Sequence, residues 1–238
     1  MILGQTNKKR PFINLPLKGD TNDKSLNNHA VTNSGATSTT GQFGESNGAY
    51  DFDGVNNQLT IGSSVYDTLV DYINSGHVTI HFNMINNLIT PNNDSILSLY
   101  DTSGNFSYFY GINEYKSGTG YHGLYAGGAG SNNNNIYSNA VPTVGSWKRM
   151  VYTHTYATTI LTGGIFENGV ALSLNRSQTN QLVLKSISVN RTISIGWRQD
   201  SPTNRSFKGK IHNFAIYTTK LSSGTIKLLN KQKGRIKA

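Results

Sequence analysis

Cysteine is absent from the 238 residues, and with it go disulfides, thiolate metal sites and cysteine nucleophiles. Glutamate is nearly absent, occurring only as Glu45, Glu114 and Glu167. A glycosidase built on a β-sandwich normally needs two carboxylates a few ångströms apart. These three lie far apart, and no E-x-D-x-x-E pattern aligns acids along one strand face. No apolar run approaches the roughly 20 residues of a membrane span, which argues against membrane insertion. The opening Met1-Ile2-Leu3-Gly4-Gln5 has no apolar block leading to a small-residue cleavage site, so no secretory signal is expected. The serine-hydrolase elbow, the P-loop, the dinucleotide fingerprint and H-E-x-x-H are missing too. The expectation is a chain that is not an enzyme.

Tyrosine, by contrast, occurs 13 times, and 10% of the residues are aromatic, too many for a disordered chain. Charge is sparse at 14% and one-sided, with 21 basic against 12 acidic residues and a net charge of +9. Its distribution matters more than its total. Lys8, Lys9 and Arg10 open the chain, and Lys220, Lys227, Lys231, Lys233, Arg235 and Lys237 close it, without an acid in either stretch. Residues 11–219 are formally neutral. A basic face interleaved with aromatics would indicate nucleic acid. Here the charge belongs to the ends, so nucleic acid is not the expected partner, and Lys8, Lys9, Arg10, Lys231, Lys233, Arg235 and Lys237 read as arms that dock on an acidic neighbour.

Strand signals dominate the body. His77–Met84, Gln181–Val189 and Thr192–Trp197 alternate apolar with polar residues. Further candidates are 96–100, 107–112, 123–126, 149–155, 160–167 and 210–217. Asn-, Gly- and Ser-rich punctuation separates them, including Asn132-Asn133-Asn134-Asn135. Many short strands with such loops describe an all-β sandwich or barrel of antiparallel sheets. Ser64-Val65-Tyr66-Asp67 has capping-box spacing, and Tyr66, Leu69, Val70 and Ile73 follow on one helical face with Gly76 as a stop. A second helix is expected from about Ser222 to Lys231, with Ile226, Leu229 and Leu228 facing inward.

Among the candidate site residues, Tyr115, Tyr121 and Tyr137 are expected in Gly/Asn-rich loops, where rings stack on pyranose faces and amides bond hydroxyls. Asp20, Asp23 and Asp53 are oxygen donors in loops of the kind that hold calcium, although Asx-turns are the preferred reading of Asp20 and Asp23. No other cofactor is indicated. His77 and His81 share a face but lack a third nearby ligand.

The order of landmarks is specific. Leu15–Asp23 is followed by Gly41-Gln42-Phe43-Gly44, Gly48–Val55, Trp147–Tyr152, Phe166–Val170, Ile193–Gly196 and Phe207–Ser222. Over residues 12–230 the chain resembles the laminin-G-like, concanavalin A-like jelly-roll family. The resemblance implies a two-sheet antiparallel jelly-roll sandwich with a short inserted helix near 64–74 and a C-terminal helix, flanked by basic segments at 1–11 and 231–238. It also implies Phe52 and Trp147 as core rings and Asn168-Gly169 as a type I′ turn. The family recognises glycans, matrix or partner proteins. The chain departs from it at His212-Asn213 and Lys18, where relatives often carry acids.

A lectin-like fold with no export signal, no disulfides and docking arms suggests a component of an oligomeric assembly. The expected setting is a virion, as a bacteriophage head or tail protein touching other virion proteins and host-surface glycans. The alternatives are an extracellular glycan- or matrix-binding module, and a carbohydrate-active enzyme using Glu114 or Glu167.

Overall fold

Alternating sequence becomes strand wherever one side of the alternation can be buried. The computed structural model describes residues 10–87, 94–101, 109–115, 121–127, 133–138, 143–157, 160–178, 191–197 and 206–231. In chain order the elements are β1 (Ile13–Leu15), β2 (Val31–Ser34), β3 (Thr37–Thr39), β4 (Ala49–Asp53), β5 (Gln58–Ile61), α1 (Ser63–Ser75), β6 (His77–Asn86), β7 (Asp94–Asp101), β8 (Phe109–Tyr115), β9 (Tyr121–Gly127), β10 (Asn133–Ser138), β11 (Lys148–Ala157), β12 (Ile160–Glu167), β13 (Val170–Ala171), β14 (Leu174–Gln178), β15 (Arg191–Ile195), β16 (Lys208–Tyr217) and α2 (Ser223–Lys231).

Among the described residues the strands form two antiparallel eight-stranded sheets. The first runs β13-β12-β11-β6-β16-β4-β3, with β1 also on β16; the second runs β14-β10-β9-β8-β7-β15-β5-β2. They stack as a sandwich, with no barrel closure, as the resemblance implies. Phe82 in the first sheet stacks on Tyr152 at 5.8 Å and on Phe214 at 6.0 Å. Ile112, Leu124 and Ile136 stand opposite one another on adjacent strands of the second sheet and join the same core. Each such side chain contributes about 1.5–3 kcal/mol by leaving water.

The strand β16 carries the closing register. Its pairing with β6 shifts between His212 and Ala215, and Asn213 takes φ +53° there. This bulge lets Ile211 and Phe214 both face the core although they are three apart. The β12–β13 hairpin turns at Asn168-Gly169, with φ +51° and +81°, the pair of positive angles that a type I′ turn requires.

Several expectations change. The helix α1 is not capped by Ser64 and Asp67: Gly62 is the N-cap, without a side-chain cap bond. Val65, Tyr66, Leu69, Val70 and Ile73 are buried as the spacing predicts, and the Gly76 N–H closes on the Tyr72 carbonyl. In α2, Ile226 is buried but Leu228 points outward. Trp147 is half-buried and meets the His212 ring edge-on at 6.4 Å instead of anchoring the core. Asn133, Asn134 and Asn135 belong to β10, because β9 pairs with all three and β14 pairs with Asn134 and Asn135 from the other side; tertiary pairing overrides their weak strand propensity. The strand expected at Gln181–Val189 lies outside the described residues.

Candidate functional site

The tyrosines singled out in sequence are strand residues, not loop residues. Tyr115 ends β8 and pairs with Tyr121, which opens β9. Tyr137 in β10 pairs with Gly123 on one side and Asn175 on the other. Because Ile112, Leu124 and Ile136 face the core, alternation places positions 115, 121, 123, 125, 135 and 137 on the outer face of the second sheet. The fold therefore brings onto one sheet face the three positions that sequence could name only separately.

Tyr125 joins them. Its half-buried ring lies across Gly123, where an added Cβ would come within 2.4 Å of Tyr125 Cε2. A side chain at position 123 would lift that ring, so glycine is what allows it to lie against the strand. The signal was legible in Tyr121-x-Gly123-x-Tyr125, a period-2 pattern whose middle member has no side chain.

On the inner side of the same end lies a charged cluster that sequence reasoning did not assemble. Glu167, the last residue of β12, points Oε2 at His122 Nε2 (3.4 Å) and Lys148 Nζ (3.5 Å). The His122 and Lys148 side chains are 0% and 3% exposed, whereas that of Glu167 is 25% exposed. The contact with His122 is the largest influence holding the Glu167 carboxyl below its ordinary range; burial opposes it, and the Lys148 charge reinforces it. An ionised carboxylate with one oxygen turned to two nitrogens is a fixed acceptor for hydroxyl donors, and the neighbouring ammonium disfavours a metal cation there. Position 114 pairs across the strand with His122, so folding brings the second glutamate of the enzyme reading to this end of the sandwich.

The three aspartates do not meet. Asp20 Oδ1 accepts the Asn22 N–H, and its Oδ2 takes the Lys24 ammonium at 3.2 Å. Asp23 is 2% exposed; its Oδ1 accepts the Asn14 and Ser25 N–H groups, and its Oδ2 accepts the Ser25 hydroxyl and the His29 N–H. Asp53, at the end of β4, accepts the Val55, Asn56 and Asn57 N–H groups. These are turns and a loop clasp, and among the described residues no cluster of three His, Cys, Asp or Glu side chains could hold a metal.

Of the basic arms, Arg10 and Lys231 are exposed, while Lys8, Lys9, Lys233, Arg235 and Lys237 lie outside the described residues. The outer face of the first sheet carries a buried polar row. Arg149 Nε donates to Asn83 Oδ1, and its Nη1 donates to the Leu229 and Asn230 carbonyls at the end of α2. Burial first, then the charges of Arg149 and His212, push His81 down to about 3.

No protein-family model matches the chain, and no curated protein matches its sequence. Solved structures do match in fold. The receptor-binding domain of a botulinum neurotoxin C/D mosaic serotype superposes with a TM-score of 0.67 at 13% identity, over 94% of this chain and 51% of that one. A structure of botulinum neurotoxin type C, whose cell entry depends on interaction with two ganglioside molecules, gives 0.63 at 14% identity over 93% and 50%. Domain 4 of an extracellular GH43 arabinanase from Geobacillus stearothermophilus, solved with arabinotriose, gives 0.63 at 13% identity, over 93% of this chain and 98% of that domain. The chain spans about half the length of the toxin domains and nearly all of the arabinanase domain. At these identities the likeness is one of fold.

Proposed function

We propose that this chain is a non-catalytic glycan-binding module, of the laminin-G-like branch of its fold, acting at a glycan-bearing surface outside the cell. The observation that carries the reading is the tyrosine row of the second sheet, where register unites positions 115, 121, 125 and 137 around Gly123. Flat rings bury the apolar faces of sugars, while exposed Asn175, paired with Tyr137 and on the same face, supplies a polar partner for hydroxyls. Neighbours of the same fold that meet ganglioside or arabinotriose support it by analogy. The virion setting draws nothing from the neighbours named above.

The test is a glycan array probed with the full chain, in chelator and in added calcium. The expected result is binding to a defined set of glycans, equal in both conditions because the row contains no metal ligands. Binding to none, or calcium-dependent binding, contradicts the reading. Turnover of a bound glycan, abolished by Glu167→Gln or Glu114→Gln, replaces it with the enzyme reading.

A further inference from the structure

The helix α2 lies over the outer face of the first sheet, on the opposite side of the sandwich from the tyrosine row. Its course is fixed at both ends. The Leu221 N–H donates to Thr79 Oγ1 at 3.0 Å, and Arg149 holds the Leu229 carbonyl at 2.9 Å. Between these points Ile226 packs with Val151 and Leu221, and Phe166, Tyr217 and Leu229 line the contact. The buried stripe leaves Gly224, Lys227, Leu228 and Lys231 along the solvent side.

Around α2 the charge is of one sign. The elements next to it, β6, β11, β12, β13, β16 and α2, contain a single acid, Glu167, and Glu167 is turned inward to His122 and Lys148; the acids of this sheet's outer face, Asp51 and Asp53, lie on β4 opposite Lys210 and Lys208. Lys227 and Lys231 are exposed on the helix, and Lys220 is exposed just before it. The Phe12 N–H bonds the Ile216 carbonyl at 2.7 Å, which brings exposed Arg10 beside the β16–α2 connection. The residues that follow α2 add Lys233, Arg235 and Lys237 in sequence and no acid. One large aliphatic side chain stands in this cationic field: Leu228 is 63% exposed.

We propose that this α2 face docks on a membrane surface rich in anionic lipid. Lys220, Lys227, Lys231 and Arg10 meet headgroup phosphates, and Leu228 enters the boundary with the acyl chains. A soluble polyanion satisfies the lysines but gives the exposed Leu228 nothing to bury against; a bilayer satisfies both. Docked in this way, the chain turns its tyrosine row away from the membrane and toward glycans in the medium. The surface does not depend on the glycan reading, since it uses none of the same residues.

The test is co-sedimentation of the full chain with phosphatidylcholine vesicles and with vesicles in which about 30% of the lipid is phosphatidylserine, at about 0.1 M salt. Binding is expected to the anionic vesicles only. Lys227→Gln and Lys231→Gln should each lower partitioning about fivefold. Leu228→Ser should lower it severalfold at every salt concentration. All three sites are exposed, and unchanged thermal unfolding of each variant excludes misfolding. Tyr125→Ala should leave vesicle binding intact, so failure here and failure of the glycan reading are separate events. Equal binding to both vesicles, no binding to either, or release by polyglutamate together with an indifferent Leu228→Ser variant overturns the proposal.

Discussion

Asp23 shows how one side chain does more in the fold than its local sequence suggests. In sequence it is an acid in a polar loop, with an Asx-turn preferred over calcium, and the Ser25 N–H makes that turn. In the fold it is buried and accepts hydrogen bonds from Asn14, Ser25 and His29, clasping β1 to the loop that follows. Asp23→Ala leaves those half-buried donors unpaired and should cost about 2–3 kcal/mol, read as a lower urea midpoint; an unchanged midpoint refutes the clasp. The histidines give a second residue-scale prediction. Burial, the dominant cause, pushes His81 and His154 down to about 3 from an ordinary 6.5. The native state thus holds them neutral while the unfolded chain protonates them, so their contribution is intact above pH 6.5 and lost as pH falls toward 3. Each ring steepens the loss by up to about 1.4 kcal/mol per pH unit. Urea unfolding of His81→Leu followed over that window should show a shallower slope than the parent chain, and an equal slope counts against the assignment. The cause was not legible in sequence, because His77-Val78-Thr79-Ile80-His81 alternates as if its polar side met water. It meets neighbours instead: Thr79 Oγ1 donates to the Thr219 carbonyl and accepts the Leu221 N–H at the approach to α2.

At the scale of elements, α2 is held by its C-terminal end. Ser222 Oγ accepts the Thr225 N–H at 3.2 Å at its start, and Arg149 places its guanidinium on the last carbonyls, the position where a cation best opposes the helix dipole. Arg149→Met removes that cap and leaves Asn83 without its partner. Hydrogen exchange should rise across 223–231 while β6 and β11 stay protected; uniform exchange would place the cap elsewhere. The sequence showed that a helix stood at this place, from Ile226 and Leu229 and the Ser222 start, but not which arginine closed it, since Arg149 and Asn230 meet only through tertiary structure. The reading of Asn134 and Asn135 as loop punctuation failed for the matching reason, with pairing on both sides outweighing composition. Gly123 is the element-scale test of the candidate site. Gly123→Ala places a methyl where the Tyr125 ring lies, so glycan binding should fall about tenfold or more with little change in thermal unfolding. Unaltered binding would mean that the ring's position is irrelevant.

At the scale of the molecule, the two-sheet sandwich was legible because each strand's alternation had only one sensible burial. The ordered landmarks from Leu15 to Ser222 added the topology. The proposed glycan surface was only partly legible. Tyr115, Tyr121 and Tyr137 could be named, yet their union across Gly123, and the Glu167 cluster at the same end, depend on register between strands far apart in sequence. The molecule that results has two dissimilar outer faces, a tyrosine row on one sheet and a cationic helix on the other. Its central claim is that the tyrosine row is where glycans bind. The most direct measurement is calorimetric titration of an array-selected glycan into the parent chain and into Tyr125→Ala/Tyr137→Ala. We predict a loss of affinity of about a hundredfold for the pair, with vesicle binding and thermal unfolding preserved; equal affinity in the two proteins would contradict the account.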